Sequence, residues 1–291
     1  MFYAGTNLEV SGKQMHQNIN FLKKHGHQSI LSCILGMKEW YTVLVGNTGS
    51  NENTDKPDFQ AAKEHVKTNP YAAHTLNFQY MYIYFMVREH KSMIVFAENF
   101  LAYNHKVWTL MHVHSIHAFY IGLASFWAFR ETGNPIWADR GRKSKLAIQQ
   151  WTESSQHNFC HQLYLLEAEE AYCDKNHQLA RLLYEKAVLT AKKHRFINYE
   201  ALACELAGYF FYKMHQNDLS VQYFLQAHEK YHEWGAIAKS NSLFQFVQSN
   251  LTGGGDAVLC SNDFNNVKND PIIIADDEDK TPRKRLYNSN S

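Results

Sequence analysis

The sequence contains no Cys-x-x-Cys pair. Its five cysteines, Cys33, Cys160, Cys173, Cys204 and Cys260, are odd in number and fall mostly inside helix-like patterns. That usage argues against a disulfide framework and for buried thiols in a reducing compartment. Charge of one sign is also missing. The 29 basic residues nearly balance the 28 acidic ones, so no net field favours nucleic acid or an acidic membrane surface as partner. Met1-Phe-Tyr-Ala-Gly5 leads straight into polar sequence, without the basic and then apolar order of a signal peptide. The most apolar window, Val113 to Phe129, is interrupted by His114, Ser115, His117 and Ser125 and falls short of a spanning helix. These features predict a soluble, cytoplasmic protein with no membrane partner.

Catalytic motifs are equally scarce. No GxxxxGK[ST] loop is present to wrap phosphates, because Gly46-Asn-Thr-Gly49-Ser50 has no lysine. Neither the HRD nor the DFG motif of kinases occurs, so the base and the metal-holding carboxylate of phosphoryl transfer are missing. The expectation is a chain with no catalytic residues, no cofactor and no metal.

Proline is rare too, at Pro57, Pro70, Pro135, Pro271 and Pro282, and Ile136 to Asp270 has none. A stretch of that length rich in Leu, Ala, Glu, Lys and Gln favours helices. Breakers cluster at Gly46 to Pro57, at Thr132-Gly-Asn-Pro135 and at Thr252 to Asp256, which read as a loop, a short turn and the end of the fold. Between them apolar residues recur at helical spacing. Phe159, Leu163 and Leu166 with Ala168 and Ala171 form one stripe; Leu179, Leu183, Ala187 and Ala191 form a second. Leu202, Leu206 and Tyr209 form a third, and Tyr223, Ala227 and Tyr231 a fourth. The turns Asp174-Lys-Asn-His177 and Gln216-Asn-Asp218 separate them, with Asp218 placed as an N-cap.

These helices pair into two units that superimpose at an offset of 40. Ala168 falls on Gly208, Tyr172 on Tyr212, Ala180 on Ser220, Tyr184 on Phe224 and Ala187 on Ala227. Small residues recur where helices approach and aromatics where gaps must be filled, as in a stack of helical hairpins. Asn69 to Phe129 gives weaker aromatic-rich patterns, read as two more hairpins, and Met15 to Leu44 reads as a further helix pair. From Asn250 the chain turns polar, with Gly253-Gly-Gly255, the acidic Asp276-Asp-Glu-Asp279 and the basic Arg283-Lys-Arg285, and reads as disordered. The fold class predicted is all-α, a tetratricopeptide-like right-handed helical-hairpin solenoid with a disordered C-terminal tail. Residues 1–110 form N-terminal hairpins, 111–249 the repeat array and 250–291 the tail.

Several spaced motifs carry a family resemblance. They are Asn158-Phe-Cys-His161, Leu165-Leu-Glu-Ala-Glu169, Leu183-Tyr-Glu-Lys-Ala187, His194-Arg-Phe196, Glu200-Ala-Leu-Ala203, Glu205-Leu-Ala-Gly208 and Tyr231-His-Glu-Trp-Gly-Ala236 with Lys239. Phe119-Tyr-Ile-Gly-Leu-Ala and Trp151 extend the set. Over roughly Ala118 to Lys239 the chain resembles the helical-repeat region of large multidomain signalling kinases of cyanobacteria, other bacteria and some algae and fungi. Those proteins join a serine/threonine-kinase-like domain, a STAND-type AAA ATPase, this array, a GAF sensor and a histidine kinase. The resemblance implies a non-catalytic module for protein–protein interaction or regulation in signal transduction, with ATPase or kinase domains as protein partners. The alternative is a fragment of such a kinase whose catalytic domains lie outside this chain.

Candidate chemistry is weighed against packing roles. His157 and His161, at i and i+4 beside Cys160, have zinc-compatible spacing but lack further ligands, so a His161 hydrogen-bonded between hairpins is the simpler reading. His112, His114 and His117 point in different directions from one helix and read as packing or surface histidines. Glu167, Glu169, Glu170, Glu200 and Glu205 read as inter-hairpin hydrogen-bonding or groove-lining carboxylates rather than acid–base pairs. Arg140, Arg142, Lys143 and Lys145 form too small a basic patch for nucleic acid. Thr281-Pro282 matches a proline-directed phosphorylation site. The concave face of the solenoid, the expected protein-binding surface, is assigned to Asn158, His161, Gln162, Glu169, Tyr199 and Glu205.

Overall fold

The computed structural model describes residues 5–46, 69–102 and 111–251, all within one unit. The Gly46 to Pro57 loop, apart from Gly46, and the readings placed on the tail, Thr281 included, lie outside the described residues. Among those described there are eleven helices and no strand, so the fold is all-α. In chain order they are α1 (Leu8–His25), α2 (Gln28–Val45), α3 (Pro70–Met86), α4 (His90–Ala102), α5 (Met111–Thr132) and α6 (Pro135–Ser154). Then follow α7 (Gln156–Cys173), α8 (His177–Lys193), α9 (Ile197–Lys213), α10 (Asn217–Trp234) and α11 (Ile237–Asn250).

Asn-Pro pairs set two of the starts. The Asn69 side chain accepts from the backbone N–H groups of Tyr71 and Ala72, and Asn134 accepts from that of Ile136. In each case proline occupies the first turn, where no amide donor is needed. The turns between later helices share one backbone solution. The Asn176 N–H donates to the Ala171 carbonyl at 2.9 Å, Phe196 to Ala191 at 3.0 Å and Gln216 to Phe211 at 3.0 Å. Glu89 donates to Tyr84 at 2.9 Å in the same way. Each turn places one residue in the left-handed region, namely Arg88, Lys175, Arg195 and His215 with φ of 61, 61, 63 and 57°. The 40-residue offset reappears in the helix bounds, since α7 and α9 end at Cys173 and Lys213 while α8 and α10 begin at His177 and Asn217.

Two local expectations are corrected. Asp218 is not the N-cap of α10. The shared turn fixes Gln216 as the cap, with no side-chain bond, and Asp218 sits in the first helical turn. Leu179 is exposed, and the buried face of α8 runs instead through Ala180, Leu183, Tyr184, Ala187, Val188 and Ala191. At the N-terminal end the first helix starts at Leu8 rather than Met15, and α5, which begins inside the Asn69–Phe129 window, pairs with α6 beyond it.

The small-against-aromatic pairing is visible at Gly208, where an added Cβ would lie 2.7 Å from the Phe224 ring. Only a residue without Cβ lets α9 and α10 come this close. Consecutive helices pack on one another, but the contacts do not end with neighbours. The last helix, α11, packs on α2, and the residue before α1 reaches α10. The Trp234 indole N–H donates to the Thr6 carbonyl at 3.0 Å, and Asn7 Nδ2 donates to the Glu233 carbonyl at 3.3 Å. The Trp40 and Trp234 rings meet edge to face at 6.2 Å. One core therefore runs from Leu8 to Val247. Helix α9 lies at its centre, with every residue from Asn198 to Gly208 buried, as expected of a helix with neighbours on all sides.

The left-handed turns give a direct test. A side chain at such a φ costs about 1–2 kcal/mol, part of which glycine returns through its greater freedom in the unfolded chain. Lys175 and His215 are exposed. Replacing each by glycine is expected to stabilise the fold by about 0.5–1 kcal/mol, read as a higher denaturant midpoint at unchanged slope. A lower midpoint would mean that these side chains contribute contacts of their own.

Candidate functional site

Two buried carboxylates organise the interior. Glu169 on α7 accepts from Arg130 of α5 at 2.6 Å and from the Tyr184 hydroxyl of α8 at 2.6 Å. Glu205 on α9 accepts from Lys239 of α11 at 2.6 Å and from the Tyr231 hydroxyl of α10 at 2.7 Å. Lys239 also donates to the Met86 carbonyl at the end of α3. Burial opposes the Arg130 charge, but Glu169 outweighs it and the guanidinium pKa lies above its usual value. For Lys239 burial prevails over the attraction of Glu205, and neighbouring Arg88 adds repulsion, so its pKa is lowered. Burial and then the adjacent carboxylate push Tyr184 and Tyr231 well above the ordinary tyrosine range, which keeps both as donors.

Of the residues assigned to the concave face, Asn158 is exposed. His161, Gln162, Glu169, Tyr199 and Glu205 are all buried, at 2, 5, 2, 4 and 1% exposure. Helices packed on α7 and α9 cover them. Phe119 of α5 packs edge to face on Tyr199, and α11 covers Glu205. His161 is not hydrogen-bonded between hairpins, because neither ring nitrogen has a partner; it stacks on Phe196 at 4.6 Å instead. Burial, with His194 and His157 nearby, lowers its pKa to about 3. Cys160 Sγ lies 3.9 Å from His194 Nδ1 and the His157 and His194 rings touch at 4.3 Å, yet no three such groups among the described residues converge on a metal position.

His117 packs among Phe78, Phe100 and His74, and burial brings its pKa to about 3 as well. His114 is exposed, and the side chain of His112 lies outside the described residues. The basic patch is largely spent inside the fold. Arg142 bonds Asp139 at 3.0 Å and approaches Glu170 at 3.4 Å, Lys145 bonds Glu170, and Arg140 covers the Trp137 ring. Burial raises the pKa of Glu167 and of Glu200. No described helix is long and apolar enough to cross a membrane.

A cleft stands where α2 and the last helix meet. Its volume is about 510 Å³, and its walls come from Val43 and Leu44 of α2, the α3–α4 turn, Trp127 and Glu131 of α5, Tyr209 of α9 and Phe246 of α11. The Arg88 guanidinium carbon lies over two rings, 3.9 Å from the Trp127 centroid and 4.5 Å from that of Tyr209. Glu131 accepts the Trp127 indole N–H at 3.0 Å and so fixes that ring. Among the described residues the Arg88 side chain has no hydrogen bond and no carboxylate within 4 Å. Sequence reasoning passed over Arg88, although its turn matches those of Lys175 and His215 bond for bond. The signal that could have found it is a basic residue at the third position after an aromatic, as in Phe85 and Arg88, Tyr172 and Lys175, and Tyr212 and His215.

Comparison of the chain with family models, curated proteins and solved structures gives no significant match.

Two outcomes follow from this interior. Glu205→Gln removes the charge that holds buried Lys239 and is expected to destabilise by about 3–5 kcal/mol. Adding Lys239→Met should restore more than half of that loss in chemical denaturation, and no restoration would contradict the pairing. For acid, the depressed folded pKa of His161 means that its neutral form sustains stability fully above about pH 6.5. That stability is lost as the pH falls towards about 3, amounting to about 2 kcal/mol at pH 5. His161→Phe should flatten the pH dependence in this window, while His117→Phe removes a separate, similar share.

Proposed function

We propose that the chain is a non-catalytic helical-repeat module for protein–protein interaction or regulation in intracellular signalling. Its architecture is a tetratricopeptide-like right-handed hairpin array drawn closed by its last helix. Support comes from the 40-residue recurrence, the shared turns at Lys175 and His215, and the motifs that resemble the helical arm of multidomain signalling kinases. On that resemblance, ATPase or kinase domains are the partners. A cytoplasmic location accords with this role.

One observation carries the binding role. The cleft offers aromatic walls and a guanidinium with no partner among the described residues, while the buried carboxylates are committed to internal bonds. A pocket of this size with a few convergent polar groups is the usual form of a recognition site. Occupancy would bridge α2 and α11, so a bound partner favours the closed arrangement.

Panning a random-peptide display library on the full chain should enrich a family of sequences whose binding blocks cross-linking from a photoreactive residue placed at Ser242. In the same preparation no ATP hydrolysis is expected. A chain that enriches no peptide, or that turns over ATP, overturns this reading.

A further inference from the structure

We infer that the cleft recognises an acidic peptide segment in which an Asp or Glu side chain stands next to an apolar residue, with Arg88 as the carboxylate receptor. This rests on reading the chain as a protein-binding module.

The first argument is the state of Arg88. Its guanidinium carbon lies over the Trp127 ring and over the Tyr209 ring, so two aromatic contacts hold the group in the cleft. A guanidinium held in this way offers paired in-plane donors, the geometry that matches a carboxylate's two oxygens. The side chain is only half-exposed, and no described residue accepts from it. Its N–H groups remain open to the cleft, where an incoming carboxylate can take them in paired, charge-assisted bonds.

The second argument is the charge of the cleft. Arg88, Lys213 and Lys239 line it with Glu131 and Glu205 nearby, three cations to two carboxylates. Glu205 is already shared by Lys239 and Tyr231, and Glu131 accepts from Trp127. Arg88 and Lys239 repel one another. One more negative charge balances the site.

The third argument is shape. Beside the guanidinium the walls are apolar, with Val43, Leu44, Leu243 and Phe246. About 510 Å³ admits a few side chains rather than a folded domain. An acidic residue alone would leave these walls wet, and an apolar residue alone would leave Arg88 unpaired. The backbone of Arg88 adds to the case. It holds φ 61° in the left-handed region, and the equivalent turns spend that conformation on the exposed Lys175 and His215. Only here does the turn deliver its side chain over two aromatic rings.

The test uses the full chain and synthetic peptides from the panning. Enriched sequences should carry Asp or Glu beside Leu, Ile or Phe, and changing that acid to its amide should weaken binding at least tenfold. Arg88→Gln should weaken it to the same degree, and Arg88→Lys, which keeps the charge but loses the paired donors, should recover only part. Ser242→Glu places a like charge at the exposed rim and should also weaken binding in a chain whose packing is untouched. Thermal melts confirm that each variant is folded, and Ser242→Glu decides the matter if the Arg88 variants are not. Enrichment of neutral or basic peptides, binding indifferent to Arg88→Gln and Ser242→Glu, or a tenfold preference for phosphoserine over glutamate at the acidic position would each overturn the carboxylate assignment while leaving the binding module intact. Failure to enrich any peptide would overturn the module itself.

Discussion

An ammonium group taken out of water keeps its charge only where acceptors replace the lost solvent. Lys239 meets that demand with Glu205 at 2.6 Å, the Met86 carbonyl and the face of Tyr231. Those partners lie on α9, at the end of α3 and on α10, so one side chain ties the last helix to the middle and to the first third of the chain. A pair of this kind contributes little net stability over an apolar replacement, since desolvation cancels much of the attraction. What it contributes is a single arrangement. A helix end that slid by one turn would leave a buried cation without its carboxylate, at a cost that a greasy contact would not impose.

From that closure the rest follows. Stacked hairpins satisfy their faces through neighbours and leave an inner surface open. Here α5 packs on Tyr199 and α11 covers Glu205, while Phe196 and Tyr199 cover His161, and α9 is buried continuously from Asn198 to Gly208. The burial has a chemical consequence. His161, with both nitrogens unpaired, and His117, ringed by aromatics, stay neutral far below the usual histidine range. They act as flat apolar fillers, and acid is an agent to which they respond.

What periodicity could reveal was local. The turns at Asp174 to His177 and Gln216 to Asp218 separated α7 from α8 and α9 from α10, and Thr132-Gly-Asn-Pro135 marked the break before α6, because caps and stripes are written within a few positions. Asp218 misled because the cap position is decided by the backbone bonds of the preceding turn, not by the best capping side chain nearby. The closure was not legible. Its contacts join Thr6 to Trp234 and Met86 to Lys239, and no repeat pattern records which distant helix a Lys or Trp will meet. A face that reads as an open concave surface in a hairpin stack is therefore reassigned to the core once the ends meet.

The same logic explains why the candidate site had no motif. Trp127, Tyr209 and Arg88 come from helices far apart in sequence, and each alone reads as ordinary packing or an ordinary turn. Closure brings them together but gives the Glu205 carboxylate to Lys239, the cation with the deeper burial and so the greater need. Arg88 receives rings in its place. Two aromatic faces compensate part of the guanidinium's desolvation and none of its hydrogen-bonding capacity. Lys239 is thus enclosed by its acceptors, while the Arg88 donors stay open to the cleft, where the proposed carboxylate would bind.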